Sequence, residues 1–162
     1  MIDQAISKVV IVGGGAAGWM AAAAMSALLD RRTIEIVLVE SDEIGIVGVG
    51  EATIPPIRAF NAMVGINEDE FLAATKATFK LGIEFVDWGE LGERYFHPFG
   101  PHGQDFQGVH FHQLYLREAA RRQPLSDISH WSMSAAAARL GRFARPGADA
   151  RLPLSQLAYA FH

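Results

Sequence analysis

A glycine-rich loop between an apolar run and an alanine-rich stretch is the feature that most constrains how this chain can fold. Val9–Val12 is a continuous run of β-branched residues, which is typical of a strand buried on both faces of a parallel sheet. Gly13–Gly15 follows at once, and the stretch from residue 16 to residue 29 has strong helix propensity. Ile34–Val39 is a second β-branched run. This order predicts a βαβ unit whose two parallel strands are joined by a right-handed crossover.

The glycine loop has the spacing Gly-x-Gly-x-x-Gly at Gly13, Gly15 and Gly18. In dinucleotide-binding folds the first glycine permits a tight turn, the second lets the backbone approach a pyrophosphate, and the third lets helix and strand pack closely. The helix start at Ala16 and Ala17 would present N–H groups to the phosphates. A glycine-rich turn in another α/β protein is the alternative. The position of the motif, after a strand and before a helix, predicts a Rossmann-type α/β fold with a dinucleotide site.

An acidic residue ends the second predicted strand. Glu40 lies 22 positions after Gly18, close to the roughly 20 expected for a carboxylate that binds the ribose hydroxyls of a dinucleotide. A carboxylate at this position also disfavours a ribose 2′-phosphate. The sequence therefore predicts a dinucleotide other than NADP.

Charge and composition exclude several classes of protein. The 14 basic and 18 acidic residues give a net charge of −4, which offers no general attraction to nucleic acid or to an anionic membrane. The absence of cysteine excludes disulfides, thiolate metal sites and cysteine nucleophiles. The N-terminal apolar run is too short for a signal peptide or a membrane span. We therefore expect a soluble, cytoplasmic protein.

Two local patterns follow the second strand. Asn67 with Glu70 matches a capping box and predicts a helix over residues 68–77. From Phe79 to Phe85 apolar residues then alternate with polar or small ones. This alternation predicts a single strand with one apolar face, and Lys80 projects from the other face.

The rest of the chain gives weaker signals. It predicts loops over residues 41–55 and 89–109, helices over residues 114–122 and 132–140, and an apolar helix or strand over residues 154–162. His110 and His112 would share one face of a strand, in a region that also holds His97 and His102. Because no cysteine or glutamate completes a ligand set at short spacing, we predict no metal site.

Longer blocks of sequence go beyond the generic glycine motif. They read GGGAAGWM over residues 13–20, GIVGVGEATIP over 45–55, FKLGIEFVDW over 79–88, YFHPFG over 95–100 and LAYAFH over 157–162. In this order they resemble the flavin-dependent tryptophan halogenases over nearly the whole chain. The GVGEATIP block and the strand with Lys80 are specific to that resemblance, whereas the glycine motif is not.

The resemblance implies a halogenation reaction and assigns residues to it. The cofactor would be FAD, used as FADH2, with chloride or bromide as co-substrate and tryptophan, indole or another electron-rich aromatic as substrate. In that family a flavin hydroperoxide is attacked by halide, and the hypohalous acid that forms travels to a lysine, which Lys80 matches. His97 and Phe99 match residues whose rings sandwich the substrate indole. From the residues alone, a solvated Lys80, a core Phe99 and a polar loop residue at His97 remain alternatives.

The resemblance also implies a domain arrangement. An FAD-binding βαβ unit would span residues 8–55, and an inserted segment over residues 56–162 would carry the lysine strand and the substrate loop. The implied cofactor-binding residues are Gly13, Gly15, Ala16, Ala17, Gly18, Glu40, Val49, Glu51 and Ala52. Because the family's Trp-x-Trp-x-Ile-Pro motif does not occur in these residues, we expect a truncated chain.

A separate flavin reductase is the protein partner that the resemblance implies. Two other functions remain open. A flavin-dependent monooxygenase would use the same reduced cofactor without halide, and a non-catalytic fragment would only bind a nucleotide.

Overall fold

The computed structural model describes residues 5–45, 51–121, 126–145 and 157–161, and it divides into two compact units. Among the described residues the first unit contains 5–45, 51 and 56–76. The second contains 52–55, 77–121, 126–145 and 157–161.

The first unit is built on a βαβ motif. Strand β1 (Lys8–Val12) leads through the glycine loop to helix α1 (Ala16–Leu28), and strand β2 (Glu35–Val39) follows. The two strands pair in parallel from Lys8 opposite Glu35 to Val12 opposite Val39, and α1 packs against both. The predicted order of strand, loop, helix and parallel strand is therefore confirmed.

The prediction that β1 is buried on both faces is wrong. Its side chains alternate between half-buried and exposed, and Val10 and Val12 are 52% and 84% exposed. The sheet formed by β1 and β2 has two strands. In this two-stranded sheet one face of β1 stays exposed, so the β-branched run does not require burial on both sides.

Two further helices belong to the first unit. Helix α2 (Pro56–Met63) begins with a proline, whose missing N–H suits the first helical position. Helix α3 (Glu68–Thr75) is capped by Asn67, whose side-chain oxygen accepts hydrogen bonds from the amides of Asp69 and Glu70 at 2.9 and 3.2 Å. The predicted cap is thereby confirmed. The helix ends two residues earlier than predicted because Lys76 adopts a left-handed conformation, with φ of 53°.

The second unit contains two antiparallel pairs of strands. Strand β3 (Thr78–Lys80) pairs with β6 (Ala158–Ala160), whereas β4 (Gly82–Val86) pairs with β5 (Arg94–Pro98). The prediction of one strand over residues 79–85 is therefore wrong. Leu81, whose side chain is buried, separates β3 from β4, and the two strands belong to different pairs.

Strand β5 lies inside the region predicted as a loop over residues 89–109, so that prediction is wrong for residues 94–98. Its pairing with β4 is supported by the stacked rings of Phe85 and Tyr95, whose centroids are 4.8 Å apart. The turn between the strands is closed by Asp87, whose carboxylate accepts a hydrogen bond from the Gly92 amide at 2.6 Å. The backbone at Asp87 has a positive φ of 59°, which aspartate tolerates better than most residues.

Helical segments complete the second unit. They are α4 (Phe111–Arg121), a 3-10 helix (Ile128–Trp131) and α5 (Met133–Arg139), the last with Ser132 as its N-cap. His112 lies in α4 and His110 directly before it, so their predicted place on a strand is wrong. Asp105 fixes this helix start by binding the His110 ring at 2.8 Å and the Phe111 amide at 2.9 Å. Among the helices of the described residues, none has the length and apolar character that crossing a membrane requires.

Candidate functional site

The glycine loop of the first unit has three distinct backbone environments. Gly13 has φ of +120°, a conformation that favours glycine, and its amide donates to the Val39 carbonyl at 2.8 Å. A Cβ at Gly18 would overlap the carbonyl oxygen of Gly13, so the third glycine permits the close approach of helix and strand. A Cβ at Gly15 would meet no described atom within 4 Å. The loop is therefore packed at its two ends and open in its middle.

The start of α1 lies at this open position. Gly15 is the N-cap residue, with an extended backbone, and no described side chain caps the helix or places a carboxylate in its first turn. The first amides of the helix, at Ala16, Ala17 and Gly18, come before those that bond within the helix. Because such a terminus carries a partial positive charge, it suits a phosphate group.

Glu40 borders the same loop. It follows β2 directly, and its side chain packs against Gly14, where an added Cβ would overlap the carboxylate. A cavity of about 740 Å³ is lined by Gly13–Gly15, Trp19, Glu40 and Glu51. The structure therefore brings the glycine loop, Glu40 and Glu51 together in one place.

The groups around this cavity fit the cofactor that the sequence implies. An open glycine, an uncapped helix start and a nearby carboxylate match the pyrophosphate and ribose hydroxyls of FAD. Ala52 lies in the second unit, where it forms an isolated bridge with Ala160. Val49 lies outside the described residues.

Lys80 is the last residue of β3 and is half-buried. Its ammonium donates a hydrogen bond to the carbonyl oxygen of Thr53 at 3.1 Å. The same nitrogen lies 5.4 Å from the centre of the Phe99 ring, within the range of a cation–π interaction. The structure therefore holds this lysine against a carbonyl and an aromatic face, which differs from a freely solvated side chain.

Thr53 is itself held firmly. Its amide and its hydroxyl both donate to the Tyr159 carbonyl, at 2.8 and 2.9 Å, and its hydroxyl accepts from the Tyr159 amide at 2.9 Å. Tyr159 is only 1% exposed. Our sequence reasoning did not single out Thr53, because its partner is 106 positions away. The only local signal was its place in the GVGEATIP block.

The two predicted aromatic-clamp residues occupy different environments. Phe99 follows β5, is 8% exposed, and its amide donates to the Leu81 carbonyl at 2.9 Å. His97 lies on β5 opposite Ile83 and is exposed. The structure brings Phe99 to the Lys80 ammonium, while the assignment of His97 and Phe99 to a substrate stays a prediction.

His102 lies near His97 and was not assigned a role from the sequence. Its Nε2 atom is buried and has no hydrogen-bond partner in the part of the chain that the structure describes. Burial lowers the pKa of His102, the neighbouring His97 lowers it further, and Asp127 acts in the opposite direction. The ring is therefore favoured in its neutral form.

A second cavity, of about 330 Å³, borders Lys80 within the second unit. Most of its wall is apolar and includes Phe79, Phe96 and Phe143, and the charged side chains on it are Lys80 and Arg142. The rings of Phe79 and Phe143 stack at 4.3 Å. Thr53 and Phe99, the two residues that the Lys80 ammonium contacts, do not line this cavity, so it is an apolar space beside β3.

Across the described ranges of the chain, no three His, Asp or Glu side chains are grouped so that they could hold a metal ion. His110 and His112 stack on each other at 5.7 Å. The His110 ring is hydrogen-bonded to the Asp105 carboxylate at 2.8 Å.

Known proteins resemble this chain in sequence and in structure. The sequence is 48% identical over 92 residues to tryptophan 6-halogenase SttH from Streptomyces toxytricini, a match that covers 57% of this chain and 17% of that protein. A flavin-dependent halogenase from Xanthomonas campestris superposes with a TM-score of 0.82 at 44% identity, covering 98% of this chain and 31% of that one. The halogenase BrvH from Brevundimonas sp. BAL3 gives 0.79 at 41% identity, covering 96% of this chain and 31% of that one.

The chain thus spans about a sixth of the curated relative and about a third of the solved structures. These structures have a Rossmann-like FAD-binding fold, which agrees with the βαβ motif of the first unit. The family profile for tryptophan halogenases matches residues 8–162. On this evidence the chain belongs to the tryptophan halogenase family.

Proposed function

We propose that this chain supplies the FAD-binding loop and the reactive lysine of a flavin-dependent halogenase that acts on tryptophan, indole or a related electron-rich aromatic. The observation that carries the proposal is the placement of Lys80. Lys80 is half-buried, and its ammonium is hydrogen-bonded to the Thr53 carbonyl and positioned over the Phe99 ring. The names of the similar proteins, which are halogenases, support the same reaction.

The first unit would bind the cofactor. The uncapped start of α1 would donate backbone hydrogen bonds to the FAD pyrophosphate, which can approach closely at Gly15. Glu40 would accept hydrogen bonds from the ribose hydroxyls. Val49 and Glu51 complete the proposed contacts of this unit. Reduced FAD, oxygen and chloride or bromide would supply hypohalous acid, and a separate flavin reductase would supply the reduced cofactor.

Lys80 would orient the oxidant. An ammonium has three donors, and one of them binds the Thr53 carbonyl. Another donor can bind the oxygen of hypohalous acid and direct its halogen toward one carbon of the substrate ring. The ring carbon gains the halogen and loses a proton, and the oxidant oxygen leaves as water. His97 and Phe99 would hold the flat ring by stacking.

The decisive experiment uses the longest natural polypeptide that contains this chain, supplied with reduced FAD, oxygen, bromide and tryptophan or indole. Lys80→Ala should lower the yield of brominated product on the order of a hundredfold or more, because an unoriented oxidant is lost to water. FAD affinity and flavin reoxidation should stay unchanged, because the loop and Glu40 hold the cofactor. Lys8→Ala is the matched control, since Lys8 is exposed and paired with Glu35 on the surface.

Two results would contradict the proposal. Substantial brominated product from the Lys80→Ala variant would remove the role of the lysine. Hydroxylated product from the unchanged protein, formed without dependence on bromide, would assign it to the flavin-dependent monooxygenases instead.

A further inference from the structure

We propose that Thr53 is a positioning residue for Lys80. Its hydroxyl fixes the segment Ala52–Pro55 on strand β6, so that its carbonyl oxygen holds the lysine ammonium in one place. The inference rests on the proposed role of Lys80, and it extends that role to a residue that would touch neither cofactor nor substrate.

The hydroxyl of Thr53 makes two hydrogen bonds to the same residue. It donates to the Tyr159 carbonyl and accepts from the Tyr159 amide, both at 2.9 Å. A hydroxyl can make both bonds because its single oxygen is a donor and an acceptor at once. Because Tyr159 is 1% exposed, its amide is shielded from the solvent that would otherwise replace the threonine. The side chain therefore adds two hydrogen bonds to the one from the Thr53 amide to the Tyr159 carbonyl, and together they tie residues 52–55 to β6.

Strand β6 also pairs with β3, the strand that contains Lys80. Lys80 pairs with Ala158, and Phe79 pairs with Tyr159. Thr53 and Lys80 are thus attached to neighbouring residues of one short strand. The distance of 3.1 Å between the Lys80 ammonium and the Thr53 carbonyl is set by this common support.

Holding the ammonium matters because a lysine side chain is long and flexible. Free rotation about its bonds would spread the charge over many positions. The Thr53 carbonyl gives it one fixed acceptor, and the Phe99 ring bounds it on another side. Loss of the Thr53 hydroxyl should loosen the carbonyl and therefore the lysine, while all groups that would contact oxidant and substrate remain.

The test measures the reactivity of Lys80 directly. Residues 1–162 contain three lysines, Lys8, Lys76 and Lys80, so the first two serve as internal references. Reductive methylation of each lysine is followed by peptide mass spectrometry in the longest natural polypeptide containing this chain. The variants are Thr53→Val, which removes the hydroxyl at nearly constant shape, and Thr53→Ser, which keeps it. Thr33→Val is the matched control, because it removes a threonine hydroxyl bound to the Asp30 carbonyl in the first unit.

In Thr53→Val we expect Lys80 to react about tenfold faster relative to Lys8 and Lys76, a factor equal to about 1.4 kcal/mol and typical for loss of one or two hydrogen bonds. In Thr53→Ser and Thr33→Val the relative labelling rate of Lys80 should stay within about twofold of its value in the unchanged protein. Neither change removes a hydrogen bond to Tyr159. The ratio of halogenated product to reoxidised flavin should fall in Thr53→Val and recover in Thr53→Ser.

A thermal melt of each variant shows whether a faster reaction of Lys80 comes only from unfolding of the protein. If Thr53→Val fails to fold, Thr53→Cys replaces it, because a thiol of similar size is a weak donor and acceptor. An unchanged Lys80 rate in a folded Val or Cys variant overturns the inference. The labelling needs no catalysis, so it separates this inference from the proposed function, which fails if Lys80→Ala retains product.

Discussion

The side chain of Glu40 lies so close to Gly14 that a methyl group at position 14 would overlap its carboxylate. One residue further on, a methyl group at Gly15 would touch no described atom. The two neighbouring glycines therefore serve different purposes. Gly14 makes room for a side chain of the protein, whereas Gly15 leaves room for a molecule outside it.

Gly15→Val should abolish FAD binding while the fold is kept. The backbone at Gly15 has φ of −74° and ψ of 178°, which valine adopts without strain, and the described surroundings leave space for its side chain. The branched group would instead fill the place of the pyrophosphate. We expect FAD affinity to fall roughly a hundredfold or more, the effect of about 2.7 kcal/mol. Quenching of flavin fluorescence measures the affinity, and a thermal melt measures the fold. A variant with unchanged affinity would show that the loop does not bind the cofactor.

Glu40→Gln should weaken FAD binding by roughly ten- to a hundredfold, because hydrogen bonds to a charged group contribute about 1.5–3 kcal/mol. Glu43→Gln is the matched control, since it neutralises an exposed carboxylate three residues further along the same loop. Titration of both variants and the unchanged protein with FAD and NADP measures the preference. Tighter binding of NADP than of FAD to the unchanged protein would remove the ribose role of Glu40.

His102 should make the protein less stable as the pH falls. Burial, followed by the effect of His97, lowers the pKa of His102 below its ordinary value of 6.5. As the pH falls through about 6.5, the unfolded chain takes up a proton that the folded chain still refuses. The free energy of unfolding therefore decreases from pH 6.5 down to the lowered pKa of the folded state.

The measurement is urea unfolding at pH 7.5 and 5.5. His102→Asn should reduce the loss of stability between the two values, while His112→Asn, an exposed change in α4, should not. An equal loss in the His102→Asn variant and the unchanged protein would show that this ring does not govern the pH dependence.

Strand β1 should cause the 162-residue chain to self-associate. Val10 and Val12 are two positions apart and project from one face of β1, 52% and 84% exposed. Exposed apolar side chains on a strand favour contact with a second molecule. Val10→Thr combined with Val12→Thr keeps strand propensity but adds hydroxyls, and should reduce oligomers in light scattering over a concentration series. Val86→Thr in β4, at 40% exposure, is the control. A chain that stays monomeric at all concentrations would contradict the prediction.

The βαβ motif and the Asn67 cap could be predicted because their signals are local. A strand, a glycine loop and a helix occupy consecutive residues, and the cap of α3 is formed within three positions. The resemblance of longer sequence blocks to a known family predicts a reactive role for Lys80 without any knowledge of its contacts.

The features that were missed depend on partners far along the chain. Strand β5 could not be separated from a loop, because its residues are ordered by pairing with β4 across a turn. Residues 79–85 are divided into two strands at Leu81 because β3 pairs with β6 and β4 pairs with β5. Alternation of apolar residues does not reveal which strand pairs with which. Thr53 is the clearest case, since its hydroxyl meets Tyr159 106 positions later.

Helix α1 starts from a glycine, and no described side chain caps it. A pyrophosphate group bound there would act as its cap, so the free energy of binding would be added to the free energy of folding of the βαβ motif. At a ligand concentration a hundred times the dissociation constant this thermodynamic linkage amounts to about 2.7 kcal/mol. The melting temperature of the protein would then report ligand occupancy, and cells short of the ligand would hold a larger unfolded fraction open to proteolysis.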